Sequence, residues 1–433
     1  MFIELRNVPR DYAWGAPGAI SRLLGADGAC LAERDSTAPE AELWLGAHHG
    51  SPARVLERER PFAQCTPLNE WIAADPERAL GRYARGLHND RPVLPFLFKV
   101  LAAAEPLSLQ THPSLEQAVA GFAAEQERGV PIDAPERSYR DPLHKPELLL
   151  AVSDRFRALA GFRPVDESLH IFTVLAESLG EGGDADAIWN IVRELEAIET
   201  AGTESGLKAI VRRLLEWGPN TPLVTAVTNA ATVLRERSTE LDEYAALAVD
   251  TIERLASHYP GDPGVVIALL LNRLELAEGE AIFLTAGTLH AYLEGVGLEI
   301  MAGSDNVLRG GLTPKHIDIL ELLNTLDARV LTEPRVAPRE LEEGLIELAP
   351  GVPDFRLLVM TSEQERTVTL DGPAIALALE GDWRLDGVAS GTVLGESSAS
   401  YITPDEQCVR MLGEGQLVIA TTDGRAREHF VGA

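Results

Sequence analysis

The period of the apolar positions changes twice along the chain and divides it. From the start to about residue 164 the apolar runs are short, partly β-branched or aromatic, and broken by Pro and Gly. That texture predicts mainly strands, with short helices near 66–90 and 114–128. From Asp166 to about His258 apolar residues recur three to four apart in DESLHIFTVLAESL, DADAIWNIVRELEAIE, GLKAIVRRLLEW, LVTAVTNAATVLRER and LDEYAALAVDTIERLASH, which predicts about five helices. After YPGDPG the strand texture returns, and the Gly-bounded alternating runs of NRLELAEGEAIFLTAGTLHAYLEGVGLEIM predict hairpins.

A last strand-rich stretch, from about 330 onward, includes IALALEGDWRLDG, VLGESSASYITP and QLVIATTDG. Short strands between Gly turns suit a jelly roll of the cupin type. The expected fold is therefore mainly β with a helical insertion. Residues 1–164 with 260–329 are expected to form one β domain, 165–259 an all-helical domain, and 330–433 a C-terminal cupin-like domain. This last domain lacks a cluster of His and Glu on its strands and is expected to hold no metal.

At 433 residues, 45% hydrophobic and 24% charged, the chain has the balance of a soluble globular protein of more than one domain. The opening MFIELRNVPRDYAWG has no cationic start followed by an apolar run, and no stretch approaches the ~18 apolar residues of a membrane span. A cytoplasmic protein with no membrane partner is expected. Cys30, Cys65 and Cys408 are too few and scattered for a disulfide framework or a thiolate metal site. A net charge of −29 argues against nucleic acid as a partner. Only four of the 38 basic residues are lysines, and Lys99, Lys145 and Lys315 fall in FLFKVL, HKPE and LTPKHI. A compact ammonium serves phosphate binding or proton transfer where a guanidinium cannot.

Those lysines lie beside three pieces that together hold the donors for one divalent metal: Gln110 and His112 in SLQTHP, Glu147 in HKPEL, and His290 in TAGTLHAY. Residues two apart on a strand share a face, so Ser108, Gln110 and His112 form a polar row opposite Leu107 and Leu109. A buried, hydrogen-bonded histidine is the plain alternative for His112. Two imidazoles, a carboxylate and an amide oxygen make a mixed N/O set that suits zinc.

Seven segments resemble, in order, the motifs of type I phosphomannose isomerases. They are DYAWG (11–15), AELWLGAH (41–48), LPFLFKVLAAAEPLSLQTHP (94–113), DPLHKPEL (141–148), ALAGFRP (158–164), TAGTLHAY (285–292) and LEIMAGSDNVLRGGLTPKHID (298–318). The resemblance covers most of the chain. It implies a zinc-dependent interconversion of mannose 6-phosphate and fructose 6-phosphate on a cupin scaffold, in mannose metabolism and the supply of mannose phosphates for GDP-mannose. By the same resemblance one zinc per chain would sit on Gln110, His112, Glu147 and His290, and Arg309 would be the catalytic arginine.

Isomerisation through a cis-enediolate builds negative charge on oxygen, which zinc and a guanidinium can hold. Lys145, Asp305 and Glu299 are the candidates for moving the proton. Lys145, its pKa lowered by zinc and Arg309 and assisted by Asp305, is slightly preferred to Glu299. Lys99, Ser108 and Lys315 match phosphate-binding positions, and Trp14 and Glu42 line the cleft. The expected partner is a small sugar phosphate, and the expected state a monomer. In TAGTLH, Thr285 and Leu289 stand where relatives often have Pro, and Gly287 still permits the turn. An iron-dependent cupin oxygenase fits a Gln ligand and phosphate-type lysines poorly. A noncatalytic phosphosugar-binding cupin would be expected to lack Arg309 or a metal ligand.

Overall fold

In a computed structural model of the chain, which describes residues 1–25, 28–31, 37–56, 60–237 and 241–426, the alternation of FLFKVLAA becomes a wholly buried strand, Phe96–Ala103. Phe96, Phe98, Val100 and Ala102 pack into a core shared with Leu357, Leu377 and Val418 of the C-terminal region. Leu101 and Ala103 face a second core with Leu149, Ala158, Ala160 and Tyr292. The strand Glu147–Ala151 divides in the same way, Leu148 and Leu150 to the first core and Leu149 and Ala151 to the second. By this parity Lys99 and Glu147 share the face of Leu101 and Leu149. That face is apolar at one end and ionic at the other.

The long strand His290–Ala302 ties these pieces together. Its start pairs with Phe156–Phe162 and Leu109–Thr111, and its end with Phe96–Ala103 and Glu147–Ala151. Between the halves the register shifts at Tyr292/Glu294, and Gly295 has φ 126°. A Cβ at Gly295 would come within 2.9 Å of Phe156 and Arg155 backbone atoms, so the bend requires glycine. One strand thus serves two parts of a ten-stranded sheet. The expected hairpins in 271–302 do not form. Leu271–Leu276 pairs with Phe156–Phe162, and Ala281–Leu284 with Glu147–Ala151 and Arg335–Val336. The glycines do mark the turns, but the preferred partners are distant strands whose apolar faces match.

Five helices, Val165–Ser178, Gly183–Ala201, Thr203–Trp217, Pro222–Glu236 and Glu243–His258, occupy the segment where five were expected. Thr221 and Asp242 cap two of them by accepting from Val224 and Ala245 N–H. Their apolar stripes join one core that continues through Val265 and Leu271 to Leu109, Leu289 and Leu308 on the outer side of the strands carrying the site. None of the described helices is long and apolar enough to cross a membrane.

Apart from the small pair Ala16–Pro17 and Pro39–Glu40, the remaining described strands form an eight-stranded and a four-stranded sheet around a core that includes Trp383, Leu385, Met411 and Ile419. The first strand departs from the expected division of the chain. Phe2–Arg6 pairs with Ala399–Ile402 and Arg54–Val55, so the beginning of the 1–164 segment belongs to the C-terminal sheet. Its alternation fixes it as a strand and buries Ile3 and Leu5, but contains nothing that names its partner.

Candidate active site

Antiparallel register sets the first row of the site. Gln110 lies opposite His290 on one neighbouring strand and opposite Arg309 of Leu308–Gly311 on the other. Directly opposed residues present their side chains on one face, so His290, Gln110 and Arg309 stand in line. The polar row read from SLQTH is interrupted, because the strand is only Leu109–Thr111 and His112 lies just beyond it.

His112, Glu147 and His290 are buried, and their donor atoms lie within 4.8 Å of one another. Each histidine is oriented from behind by a carbonyl. His112 Nδ1–H donates to Asn306 O (2.7 Å) and His290 Nδ1–H to Thr288 O (2.9 Å). A carbonyl can only accept, so both Nε2 lone pairs are turned toward Glu147, whose carboxylate oxygens lie 3.3 Å from them. Neither His112 Nε2 nor Glu147 Oε2 has a hydrogen-bond partner. Lone pairs facing lone pairs in a buried site are unfavourable unless a cation lies between them. Burial and Lys145 push the His112 pKa down to about 4, leaving its nitrogen free to ligate. Burial alone would raise Glu147, but Lys145 and then His112 hold it well below the usual carboxylate range. The Gln110 amide nitrogen lies 3.4 Å from His290 Nε2, and turning the amide over would offer its carbonyl oxygen as a fourth donor. This donor set fits zinc.

Behind these groups lies a buried ionic network. Lys99 Nζ donates to Glu299 Oε2 (3.0 Å) and Glu42 Oε1 (3.3 Å). Tyr292 Oη donates to Glu299 Oε1 (2.9 Å), and Trp44 Nε1 to Glu42 Oε2 (3.0 Å). Burial favours neutral Lys99, but Glu299 and Glu42 outweigh it and raise the lysine above its ordinary value. Glu299 is raised by burial despite Lys99. Replacing Lys99 with Met strands two buried carboxylates and is expected to cost about 3–5 kcal/mol at pH 8, read as a lower midpoint of denaturant unfolding. The loss should shrink toward pH 5. A folded-state pKa above the unfolded one means that the folded protein takes up the proton first, and removing Lys99 raises Glu299 further. An equal loss at both pH values would count against this account.

Lys145 Nζ lies 2.9 Å from Glu147 Oε1, at the edge of the same centre. Asp305 faces His48 Nε2 (3.4 Å) and His49 Nε2 (3.5 Å), a second grouping with metal-type residues. His48 Nδ1, however, accepts from Gly50 N–H (3.2 Å), so neutral His48 presents an Nε2–H to Asp305 instead of a lone pair. Burial first, against the pull of Asp305, brings the His48 pKa to about 4. Arg309 is half-buried and Lys315 exposed; burial and then Arg140 lower the pKa of Arg309, while burial, then Arg309 and Arg140, lower that of Lys315. Among the described residues none of Arg140, Arg309 and Lys315 forms an ion pair with a carboxylate. Trp14 and Leu107 are half-buried against the second core, and Ser108 is half-buried next to the Gln110 strand.

Sequence reasoning missed Tyr292, Asp141 and Asn306. Tyr292 lies two residues past His290 in TAGTLHAY, and Asn306 in SDNVLR, but no periodicity distinguishes them from packing residues.

A model of phosphomannose isomerase type I, catalytic domain, matches residues 2–165. A mannose-6-phosphate isomerase of Escherichia coli is 35% identical over 417 residues, covering 96% of this chain and 98% of the relative. The chain belongs to the type I phosphomannose isomerase family. Family members extend to animals: the mannose-6-phosphate isomerase of Bos taurus is 32% identical over 391 residues, 87% of each chain. A zinc-bound holo crystal structure of mannose 6-phosphate isomerase superposes with a TM-score of 0.81 at 32% identity, covering 98% of this chain and 99% of that one. As a phosphomannose isomerase by family, the chain has its polar cluster of His112, Glu147 and His290 where one strand is shared between two parts of its largest sheet.

Proposed function

We propose that the chain interconverts mannose 6-phosphate and fructose 6-phosphate, with one zinc held by Gln110, His112, Glu147 and His290. The observation that carries this reading is the pair of carbonyl-oriented imidazoles turned toward a partnerless carboxylate oxygen. Zinc bound there supplies Lewis-acid stabilisation of negative charge on the sugar oxygens. Arg309, in line with Gln110 and free of any carboxylate, holds the enediolate charge from the neighbouring strand.

Lys145 carries the proton between carbon 2 and carbon 1, assisted by Asp305. Glu299 suits that role less, since both its oxygens are taken by Lys99 and Tyr292 deep behind the centre. The same network makes Lys99 and Glu42 supports for the floor of the site, and leaves Lys315 and Arg309, with Ser108, to hold the phosphate. Arg140 adds positive charge to that group. Trp14 borders the cleft. The strands that build the site form a cupin-type barrel, the five helices a domain of their own, and the C-terminal sheets a metal-free barrel. The protein acts as a cytoplasmic monomer that links fructose 6-phosphate to the mannose phosphates used for GDP-mannose.

A coupled assay with mannose 6-phosphate should show fructose 6-phosphate formation that a strong chelator abolishes and added zinc restores. Product formation unaffected by chelation would remove the metal from the mechanism, and no product at all would sink the isomerase reading.

A further inference from the structure

We infer that Asn306 is a positioning residue, one that sets the orientation of His112 and the placement of the Lys145–Glu147 loop at the same time. The inference rests on the zinc reading of the site. Asn306 has no exposed surface, and every hydrogen-bonding group it owns is used. Its carbonyl accepts from His112 Nδ1–H (2.7 Å), and its own N–H donates to Ser304 Oγ (3.2 Å). Its side-chain Oδ1 accepts from Arg140 N–H (2.7 Å) and Asp141 N–H (3.2 Å). Its Nδ2 donates to Asp141 O (2.8 Å), to Leu143 O (2.9 Å) and, at 3.3 Å, to Asp141 Oδ1.

Three parts of the site meet at this one residue. The side chain grips 140–143, the stretch that leads directly into Lys145 and Glu147. The carbonyl fixes the His112 tautomer, and the backbone runs on through Val307 to Arg309. Asp141 closes the clasp from the other side, since its carboxylate accepts from Ser304 Oγ (2.8 Å), Asp305 N–H (2.8 Å) and Leu143 N–H (3.0 Å). Only an amide meets the demand at position 306, because two acceptor sites and two donors are needed on one short side chain. Aspartate would turn a carboxylate toward two carbonyls and a second carboxylate. Alanine would take the side-chain partner from two loop N–H groups and from Asp141 O, and leave Leu143 O with Ser304 Oγ alone (3.2 Å), in a partly buried place. Asn306 touches no reacting atom, so its effect must pass through His112 and the loop.

Loss of a group that orients a metal ligand typically lowers metal affinity or activity by about 10–100-fold. The test compares zinc-loaded wild type with Asn306→Ala, the near-isosteric Asn306→Asp, and Val418→Ala, a cavity control on the C-terminal side of the shared core. All are measured well below their melting temperatures. Zinc transfer to a chromogenic chelator should be about 10–100-fold faster in the Asn306 variants. The visible spectrum of the cobalt-substituted protein should shift in them, and kcat should fall more than KM changes. Val418→Ala should melt lower yet release zinc at the wild-type rate. If the Asn306 variants lose only melting temperature, with wild-type zinc release and cobalt spectrum, the residue is a structural clasp and the inference is wrong. Should Asn306→Ala not fold, Asn306→Asp decides alone. A wild type that binds no zinc would instead overturn the proposed function, and this inference with it.

Discussion

Glu147→Ala is expected to leave the folded protein without stoichiometric zinc and to lower kcat/KM about a thousandfold, equivalent to about 4 kcal/mol of lost charge stabilisation. Glu147 is the only anion of the four donors, and it closes a set whose two histidines are already turned toward it. Without it, His112 and His290 face a space with no counter-charge for a dication, while the Lys145 ammonium, 2.9 Å from the missing oxygen, remains to repel one. Metal analysis of the purified variant together with the coupled assay checks both parts. Full zinc occupancy with wild-type turnover would mean that the cation sits elsewhere. Acid should act in the same direction. Glu147 is held far below its ordinary range, so what it contributes is present above about pH 4.5 and lost as pH falls through its folded-state value. Protons also compete with zinc for the imidazoles.

Arg309→Gln should give the opposite dissociation of metal from rate. Zinc content should stay at the wild-type level, while kcat drops by about 10²–10³, the usual cost of removing one preorganised donor to a developing oxyanion. The residue stands across the strand from Gln110, and burial together with Arg140 already presses on its charge. An unpaired guanidinium in such a place costs stability, so the folded protein should gain in melting temperature when it is removed; a rise in melting temperature alongside the fall in kcat would mark a strained functional charge. Turnover within a few fold of wild type would remove Arg309 from the reaction. Because neither variant removes a hydrogen bond of the Lys99 network, both can be compared with Lys99→Met, where stability is the expected casualty.

What was legible in the sequence depended on whether the cause was local. The Phe96–Ala103 strand, the five helices and the turn at Gly287 follow from neighbours a few residues apart, and these appear where the pattern put them. His112, Glu147 and His290 could be picked out because their residue types are costly to bury without a purpose, and they do converge. Lys99 was half legible. Its apolar surroundings announce a buried charge, but whether its partner is a phosphate or Glu42 and Glu299 depends on strands 57 and 200 residues away. Pairing was the least legible property. The glycines in 271–302 bound strands correctly, and only the matching of distant faces decided that those strands would not pair with their sequence neighbours. Asn306 was hidden for a different reason, since its importance lies in the number of its bonds and not in its residue type.

The pairing of Phe2–Arg6 with Ala399–Ile402 also sets an order in time. During synthesis at about 5–20 residues per second, the first strand emerges roughly 20–80 seconds before the partner that completes its sheet. Through that interval Ile3 and Leu5 have no finished core to enter. The strands that carry Gln110, Glu147, His290 and Arg309 are all made by residue 311, but one face of Glu147–Ala151 waits for the same C-terminal core. The sheet that holds Phe2–Arg6 can therefore close only once Ala399–Ile402 has been made, later than every strand that carries Gln110, Glu147, His290 and Arg309.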